Sequence, residues 1–304
     1  MFDNILPDRV SFALSKLNLK GLREIRIRIK SPIMVDYGSN FFLGENGIVE
    51  SKELALMCSF EEIQEIVFRA CDCSVYAHEE ELKKGFITLN RGERVGLCGE
   101  IIYENNMVKT MKNFSSITIR LPHQVPNCSL KILDYLYDEK SVKNTLIIAP
   151  PGAGKTTFLR DLCFQLSSKN IVKNLLIIDE RGEISACFDG EPQFYVGQNT
   201  DIYSFATKKF GLENGVRTLA PSVIAMDELG NSDDITSLNY AIGSGVKILA
   251  TAHSDSIIEI YKKPYFKDIL EQKVFERIVV LSTRNGVGTI EGVYNAEKQK
   301  LDVF

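Results

Sequence analysis

Residues 149–157 have the types and spacing needed to bind the phosphates of a nucleotide. They read APPGAGKTT and lie between a short apolar run and a helix whose apolar residues recur at i, i+3, i+4 and i+7. Gly152 and Gly154 allow the backbone amides to curl toward one phosphate chain. Lys155 can reach the β and γ phosphates, and the Thr156 hydroxyl can ligate Mg²⁺. The predicted nucleotide-binding residues of this loop are Ala149, Pro150, Pro151, Gly152, Ala153, Gly154, Lys155, Thr156 and Thr157, with Ala149 standing where the strict pattern has glycine.

Two apolar runs end in an Asp-Glu pair, and only one pair can be the Walker B pair that serves the metal. Asp179 and Glu180 follow LLII, whereas Asp227 and Glu228 follow VIAM. In P-loop ATPases that hydrolyse with a glutamate, the Walker B strand is usually the third in sequence, and VIAM is the third run here. We therefore predict that Asp227 holds hydrated Mg²⁺ together with Thr156, and that Glu228 polarises the attacking water. The alternative is a pair of helix-capping or solvated acids.

Polar residues also follow the next apolar run, at residues 246–250. Thr251 and His253 are candidate sensors of the γ phosphate, although a single histidine is more often structural. Arg217 lies just before the Walker B run, where it could either stabilise phosphate charge or pair with an acid. Both interpretations of Arg217 stay open.

These strand ends can form a site only if the strands belong to one parallel sheet. Ligands in open α/β sheets bind beyond the carboxyl ends of the strands, so polar residues at those ends are expected to converge. The helical or turn-rich connections between the apolar runs favour parallel βα units. A terminal hairpin is predicted over residues 277–295, turning at residues 285–288. The apolar runs are residues 145–148, 175–178, 223–226, 246–250 and 278–281.

The first part of the chain has the pattern of a separate α+β domain. EIRIRIK alternates strictly over residues 24–30, which predicts a half-buried strand with Glu24 and its alternate neighbours facing out. Ser59 and Glu62 form a capping box at the start of an amphipathic helix. Period-two stretches over residues 85–120, with turns at residues 90–92 and 105–106, predict an antiparallel sheet. Together these predict an N-terminal domain at residues 1–125, an ATPase domain at residues 126–304 and a linker, HQVP, at residues 123–126.

Composition limits the functions that the chain can have. The net charge of −4 provides no basic field of the kind that drives non-specific nucleic-acid binding. Seven scattered cysteines, an odd number, do not form a disulfide framework and fit a reducing cytosol. No run of 18 apolar residues occurs, so we expect a protein that neither spans a membrane nor is secreted.

The motifs occur in an order that resembles secretion-type ATPases. These enzymes carry Walker A, Asp-box, Walker B and His-box elements, and here APPGAGKTT, IIDERGEI, VIAMDELG preceded by VRTLAPS, and TAHS follow one another. The N-terminal stretches SVYAHEEELKKGFITLNRGERVGLCGE and FSSITIRLP narrow the resemblance to the stage III sporulation protein AA family. The resemblance covers nearly the whole chain.

This resemblance implies an α/β fold, with a RecA-like P-loop ATPase core and a smaller N-terminal α+β domain. It implies a Mg²⁺-dependent, ATP-hydrolysing motor that assembles as a homo-hexamer and serves the secretion-like channel between mother cell and forespore. The motor would lie in the mother-cell cytoplasm and reach the membrane through embedded subunits of the channel complex. Glu180 would take the Asp-box role and His253 the His-box role. Family members tend to have arginine where this chain has Asn199, which puts a phosphate contact there in doubt.

Phosphoryl transfer benefits from an additional cation near the γ phosphate, worth roughly 10³ to 10⁵ in rate. The P-loop offers only Lys155 and the metal, because Arg160 is expected to face away from the loop. Arg217 is one candidate within the same subunit. Arg94 and Arg120 lie on predicted N-terminal strands, where the resemblance suggests nucleotide contacts across or beside a subunit junction. Pairing of these two arginines with surface acids is the alternative.

Two further functions remain open at this point. A nucleic-acid-dependent RecA-like ATPase shares the core motifs, but the acidic composition and the lack of a recognisable DNA- or RNA-binding module argue against it. An assembly platform that binds ATP without hydrolysing it would need no water-polarising acid. Glu228 argues against such a platform.

Overall fold

The computed structural model describes residues 4–19, 21–74, 78–89, 92–121, 124–138 and 141–301. The chain divides into two compact units, Met1–His123 and Gln124–Phe304, each with its own sheet. Asn90, Arg91 and His123, which belong to the predicted turn at residues 90–92 and the predicted linker, lie outside the described residues. In the described part of the chain, no helix combines the length and the apolar character needed to cross a membrane.

The N-terminal unit is an antiparallel sheet with helices packed against it. Its strands lie in the order β4-β3-β2-β1-β7-β6-β5. The described elements are α1 (Asp8–Ser15), β1 (Glu24–Arg28), β2 (Met34–Asp36), β3 (Asn40–Gly44), β4 (Gly47–Val49), α2 (Phe60–Ala70), α3 (Glu79–Lys84), β5 (Phe86–Thr88), β6 (Arg94–Glu104) and β7 (Met107–Arg120). The capping box at α2 is confirmed, since the Ser59 side chain accepts from the Glu62 amide and the Glu62 carboxylate accepts from the Ser59 amide.

The alternating strand β1 departs from its predicted pattern at one end. Ile25 and Ile27 are fully buried, as the period of two requires. Glu24 was expected to face out, yet it is only 9% exposed. The prediction for Glu24 is wrong because Arg26 and Arg120 cover its carboxylate with ion pairs. Sequence alternation assigns a side chain to a face of the sheet but does not reveal which neighbouring side chains cover it.

The C-terminal unit is a sheet of six parallel strands followed by one antiparallel strand, in the order β10-β9-β11-β12-β8-β13-β14. The predicted terminal hairpin is confirmed as β13 and β14. The described elements are α4 (Leu133–Leu136), β8 (Thr145–Ala149), α5 (Lys155–Ser168), β9 (Leu175–Asp179), β10 (Thr200–Ser204), α6 (Lys208–Thr218), β11 (Val223–Leu229), α7 (Ser232–Gly243), β12 (Lys247–His253), α8 (Ile257–Ile260), α9 (Pro264–Glu271), β13 (Arg277–Ser282) and β14 (Thr289–Asn295).

One strand of this sheet, β10, has no counterpart among the predicted apolar runs. It lies at the edge, pairs only with β9, and its residues are half-buried or exposed. An edge strand needs little apolar surface because one side of it is not covered by another strand. Its sequence TDIYS therefore lacks the continuous apolar run typical of strands buried on both faces.

The central strand β8 is buried on both faces, which explains its continuous apolar run. Ile147 and Ala149 belong to the core beneath α5, while Leu146 and Ile148 belong to the core on the opposite face. The predicted apolar stripe of α5 is fully buried in the first of these cores. The strand order places β12 between β8 and β11, so the carboxyl ends of all three strands lie side by side.

A polar cluster holds the opposite, amino-terminal ends of three central strands in register. The Glu276 carboxylate accepts hydrogen bonds from the Asn144 amide (2.9 Å) and from Lys247 Nζ (2.9 Å). Asn144 Oδ1 in turn accepts from the Ile248 amide at 2.8 Å. Burial raises the pKa of Glu276, but the hydrogen bonds from Lys247 and Asn144 outweigh it and leave this pKa below its ordinary value.

We predict that Glu276→Gln lowers the free energy of unfolding by about 1–3 kcal/mol at neutral pH, because it removes the charge that Lys247 pairs with. A carboxylate with a lowered pKa in the folded state stabilises the fold above its unfolded pKa. That stability is lost as the pH falls through the folded pKa. The difference between the two proteins should therefore shrink between about pH 5 and pH 3. Chemical denaturation at several pH values measures this difference in the free energy of unfolding, and substitution of the exposed Glu271 by Gln is the control. A difference that does not change with pH would contradict the prediction.

Candidate nucleotide-binding site

The loop between β8 and α5 has the backbone shape of a phosphate-binding loop. Gly152 and Gly154 have φ angles of 72° and 86°, in the left-handed region that glycine adopts without strain. A Cβ at Gly154 would lie 2.9 Å from Val287 Cγ1. The Gly288 amide donates to Ala153 O at 3.1 Å. The turn of the terminal hairpin therefore packs directly on the loop, a role that the sequence did not reveal.

Lys155 makes hydrogen bonds with all three of its ammonium protons. Nζ lies 3.0 Å from Ala149 O, 3.0 Å from Pro150 O and 3.0 Å from His253 Nδ1. Because an ammonium group can only donate, His253 Nδ1 is the acceptor and the ring proton is carried by Nε2. Burial lowers the pKa of Lys155, against the opposing effect of Asp227 and Glu228. The amine thus lies where phosphate oxygens could replace its present acceptors.

Asp227 connects the phosphate loop to the neighbouring strands through hydroxyl groups. The Thr156 hydroxyl donates to one of its carboxylate oxygens and the Thr251 hydroxyl donates to the other. Thr251 is fully buried and also accepts a hydrogen bond from the Glu228 amide at 2.8 Å. The structure thus brings Thr156 and Asp227, the two predicted metal ligands, into contact. It places Thr251, a candidate phosphate sensor, as a brace for the end of β11.

Both oxygens of the Glu228 carboxylate have protein partners. His253 Nε2 donates to Oε1 at 2.9 Å, and Arg181 forms an ion pair with Oε2. The backbone of Glu228 has a φ of 56°, in the left-handed region that side chains other than glycine rarely adopt. The register between β11 and β12 shifts at this point. Strained backbone of this kind is concentrated at functional sites, because the surrounding contacts must hold it in place.

The second acid pair, at the end of β9, has a different environment. Asp179 is 2% exposed. Its carboxylate accepts from the amides of Glu183 (2.9 Å), Ile184 (3.1 Å) and Ser185 (2.8 Å) and from the Ser185 hydroxyl (2.6 Å). Backbone amides cannot turn away to admit a metal ion, whereas the hydroxyls on Asp227 can. This contrast supports Asp227 as the metal ligand and gives Asp179 the role of holding the loop after β9.

Glu180, the predicted Asp-box acid, points to a different partner. Its exposed carboxylate forms an ion pair with Lys208, which also lies 3.8 Å from Asp234. The residue of this segment that reaches Glu228 is the next one, Arg181. Sequence reasoning missed Arg181, although it directly follows an acid pair at the carboxyl end of a strand, where polar residues are expected to converge.

The structure does not bring Arg217 to the phosphate loop of its own subunit. Arg217 lies in the last turn of α6, is exposed, and donates to Tyr240 Oη at 3.3 Å. After α6 the chain enters β11 at Val223, the end of the strand opposite to Asp227. Arg217 therefore makes an exposed polar contact beside the end of β11 opposite to Asp227.

Two other residues considered at the sequence level also have structural partners. Arg160 is 6% exposed, its Nε donates to Ile184 O at 2.6 Å, and burial lowers its pKa to about 10. It braces α5 against the loop after β9. That it faces away from the phosphate loop stays a prediction. The amide of Asn199 donates to Ser167 Oγ at 2.9 Å. Ser167 lies at the end of α5 opposite to the phosphate loop, so this hydrogen bond holds Asn199 near that opposite end.

A cleft with about 430 Å³ of empty space opens beside Thr157. Successive turns of α5 form one wall, through Thr157, Arg160, Asp161 and Phe164. The ring of Tyr195 lies 5.2 Å from that of Phe164, centroid to centroid, and adds an aromatic surface. The cleft therefore begins at the last residue of the phosphate loop and continues along the helix.

In the N-terminal unit, Arg94 and Arg120 lie directly opposite each other on adjacent strands β6 and β7. Directly opposite residues share a face of the sheet, so the two side chains are neighbours. Arg120 Nε lies 3.2 Å from Glu24 Oε2, and the Arg94 guanidinium lies 3.7 Å from the centre of the Phe86 ring.

Comparison with known proteins shows the family of this chain. The sequence profile of the family described as sporulation stage III, protein AA matches residues 4–301. The chain is 37% identical over 302 residues to stage III sporulation protein AA of Bacillus subtilis (strain 168), covering 96% of this chain and 94% of that protein.

Comparison with solved structures shows the fold. The Legionella pneumophila ATPase DotB aligns with a TM-score of 0.56 and 14% identity, covering 85% of this chain and 72% of DotB. The pilus retraction motor PilT, solved with bound ADP, aligns with a TM-score of 0.58 and 15% identity, covering 89% of this chain and 76% of PilT. The predicted fold class is confirmed: the chain is α/β, with a RecA-like P-loop core.

We predict that Asp179 and Glu180 differ in their effect on stability. Asp179→Asn leaves buried backbone amides without a carboxylate acceptor and should lower the free energy of unfolding by about 1–3 kcal/mol. Glu180→Gln removes an exposed acid that pairs with Lys208, but Lys208 keeps Asp234 nearby, so the loss should be less than about 1 kcal/mol. Chemical denaturation of the two isosteric variants measures the difference, and the opposite ranking would contradict the role given to Asp179.

Proposed function

The chain belongs to the sporulation stage III, protein AA family, and we propose that it is a Mg²⁺-dependent ATPase that acts as the motor of a secretion-like channel complex. One observation carries the hydrolytic part of this proposal. Lys155, Thr156, Asp227, Glu228 and His253 come from three separate segments of the chain and are joined by direct hydrogen bonds at one end of the sheet.

The donor set at this point fits ATP with Mg²⁺. The Thr156 hydroxyl and the Asp227 carboxylate provide oxygen ligands, which Mg²⁺ prefers, and leave room for coordinating water. When bound, Mg²⁺ would neutralise charge on the β and γ phosphates. Gly152 and Gly154 allow the loop amides to face the same phosphates. Together these groups provide the positive charge and the hydrogen-bond donors that a triphosphate needs.

Lys155 would change partners when ATP binds. Its three present acceptors are neutral, and the γ phosphate carries formal negative charge, so the ammonium group gains by moving to the phosphate. His253 Nδ1 then loses its donor, while its Nε2 proton can still be donated to Glu228 or to a phosphate oxygen. His253 is thus in direct contact with both the phosphate-binding lysine and the acid that would polarise the water.

Glu228 would act on the water that attacks the γ phosphate. A carboxylate within hydrogen-bond distance orients a water molecule and accepts its proton as the water oxygen bonds to the γ phosphorus. The bond from that phosphorus to the bridging oxygen breaks, and ADP leaves with this oxygen. The Thr251 hydroxyl fixes the Glu228 amide, and His253 fixes one carboxylate oxygen. These two contacts hold the acid beside Asp227, where the metal and the γ phosphate would lie.

The cleft beside Thr157 would receive the nucleoside. It starts where the α phosphate would contact the end of the loop, and Tyr195 and Phe164 offer aromatic surfaces to a base. Among the described residues that line it, Arg160 is the basic one, and backbone carbonyls already accept its hydrogen bonds. A neutral, flat base suits these walls better than a charged group.

The oligomeric and cellular parts of the proposal are based on the family and the fold. The solved relatives include an ATPase and a pilus retraction motor. We infer a homo-hexamer in the mother-cell cytoplasm that reaches the membrane through embedded subunits of a channel complex. Arg94 and Arg120 are adjacent on one sheet face and are our candidates for nucleotide contacts supplied by a neighbouring subunit.

We expect Lys155→Ala to abolish ATP binding, because the phosphates lose their main point charge. Glu228→Gln should still bind ATP but hydrolyse it about 10²- to 10⁴-fold more slowly, because the amide cannot accept the proton of the water. Nucleotide-binding titrations and phosphate-release assays separate the two effects, with Glu271→Gln as a control for loss of one acidic charge. Hydrolysis by Glu228→Gln at the normal rate would show that another acid polarises the water.

The neighbouring-subunit role of Arg94 and Arg120 can be tested by mixing variants. Lys155→Ala protein has a dead site but intact arginines, so it should partly restore the activity of an inactive Arg94→Ala or Arg120→Ala protein. The mixed assemblies must first be demonstrated by native mass measurement. Failure of both mixtures to recover activity would mean that these arginines act within their own subunit or have no catalytic role.

A further inference from the structure

Arg181 has no role in the site proposed so far, yet it contacts the acid at its centre. Its guanidinium forms an ion pair with Glu228 Oε2, opposite the oxygen that accepts from His253. We propose that Arg181 is a catalytic cation supplied within the same subunit: it pairs with Glu228 before ATP binds and moves to the γ-phosphate oxygens during hydrolysis. This inference rests on the ATPase function proposed above.

The negative charge of the site favours a further cation near the γ phosphate. The transition state of phosphoryl transfer spreads negative charge over the γ-phosphate oxygens, and Asp227 and Glu228 add two carboxylates close by. Lys155 is the side-chain cation of the loop itself. Arg160 donates to backbone carbonyl groups of the loop after β9, and Arg217 lies toward the other end of β11. Among these residues, Arg181 is the arginine in contact with the proposed catalytic acid.

The ion pair with Glu228 would bring Arg181 within reach of the reacting phosphate. A water molecule polarised by Glu228 lies about 3 Å from its carboxylate and about 3 Å from the phosphorus that it attacks. A guanidinium paired with the same carboxylate is therefore separated from the γ-phosphate oxygens by about one water molecule. Rotation about the long arginine side chain covers that distance without movement of the backbone.

The backbone that presents Arg181 is fixed, while its side chain is free to move. Asp179 accepts hydrogen bonds from the amides of Glu183 and Ser185, which closes the loop around Arg181. Gly182 has a φ of 68°, and a Cβ there would lie 2.9 Å from the Phe205 ring. The Arg181 side chain itself is 59% exposed. A rigid turn thus carries a mobile cation, which is the arrangement that a change of partners needs.

The exchange of partners favours catalysis in two ways. Solvent reaches the Arg181 side of this ion pair and screens it, so leaving the single carboxylate of Glu228 costs little. A phosphate group carries more charge and accepts two parallel hydrogen bonds from a guanidinium. The departure of Arg181 also frees Glu228 Oε2 to accept a hydrogen bond from the attacking water. Arg181 would therefore link the arrival of the γ phosphate to the release of the catalytic acid.

Arg181→Ala and Arg181→Lys test the proposal in the full-length protein. The alanine variant should lower kcat by at least about tenfold with a KM changed by less than about threefold, as expected for a contact made mainly in the transition state. It should also weaken binding of ADP together with tetrafluoroaluminate, a mimic of the phosphoryl group in transfer, more than binding of ADP alone. The lysine variant keeps the charge but not the paired hydrogen bonds, so part of the activity should remain.

Lys273→Ala is the matched control, since it removes one cation from an exposed ion pair with Glu297 in the same unit. It should behave like the unaltered protein in every assay. A folded Arg181→Ala protein with unchanged or higher kcat, or with equal losses of affinity for ADP with and without tetrafluoroaluminate, would overturn the proposal for Arg181 and leave the ATPase function standing. Absence of ATP binding and hydrolysis in the unaltered protein would instead overturn both.

Discussion

The carboxylate of Asp227 is the contact on which the arrangement of the candidate site depends. One of its oxygens accepts from Thr156 at the start of α5, and the other accepts from Thr251 on β12. This is possible only because β12 lies between β8 and β11 in the sheet. The same order brings His253 between Lys155 and Glu228. A parallel sheet with a different strand order could contain the same motifs without joining them.

In the structure, the chemical groups of this site are all satisfied by protein partners. Lys155 uses its three protons, Asp227 and Glu228 use both carboxylate oxygens, and His253 uses both ring nitrogens. Among the described residues, Ser168 Oγ is the one buried side-chain polar atom without a hydrogen bond, and it lies at the far end of α5. Nucleotide binding would therefore replace existing hydrogen bonds rather than satisfy free groups. The affinity for nucleotide then depends on the negatively charged phosphate oxygens being stronger hydrogen-bond acceptors than the neutral acceptors that they displace.

The two Asp-Glu pairs show how the same residue types acquire different roles. Asp179 is surrounded by backbone amides that close a rigid loop, and Asp227 is bound by hydroxyls that can rotate. An aspartate whose carboxylate accepts hydrogen bonds from backbone amides stabilises a turn. An aspartate whose carboxylate accepts from hydroxyls can bind a metal ion. The loop that Asp179 closes then sets the position of Arg181 beside Glu228. The two pairs are thus connected, the first supporting the geometry around the second.

The sequence by itself determined the features that depend on residues close together in the chain. The phosphate loop, the capping box at Ser59, the stripe of α5 and the terminal hairpin follow from local spacing, turn chemistry and periodicity. Only the tertiary structure decided which arginine meets Glu228, that Glu24 is covered, and that β10 completes an edge of the sheet. These features depend on neighbours that are distant in sequence. A spacing rule fixes the face on which a side chain lies, whereas the order of strands and the path of the loops decide what that face meets.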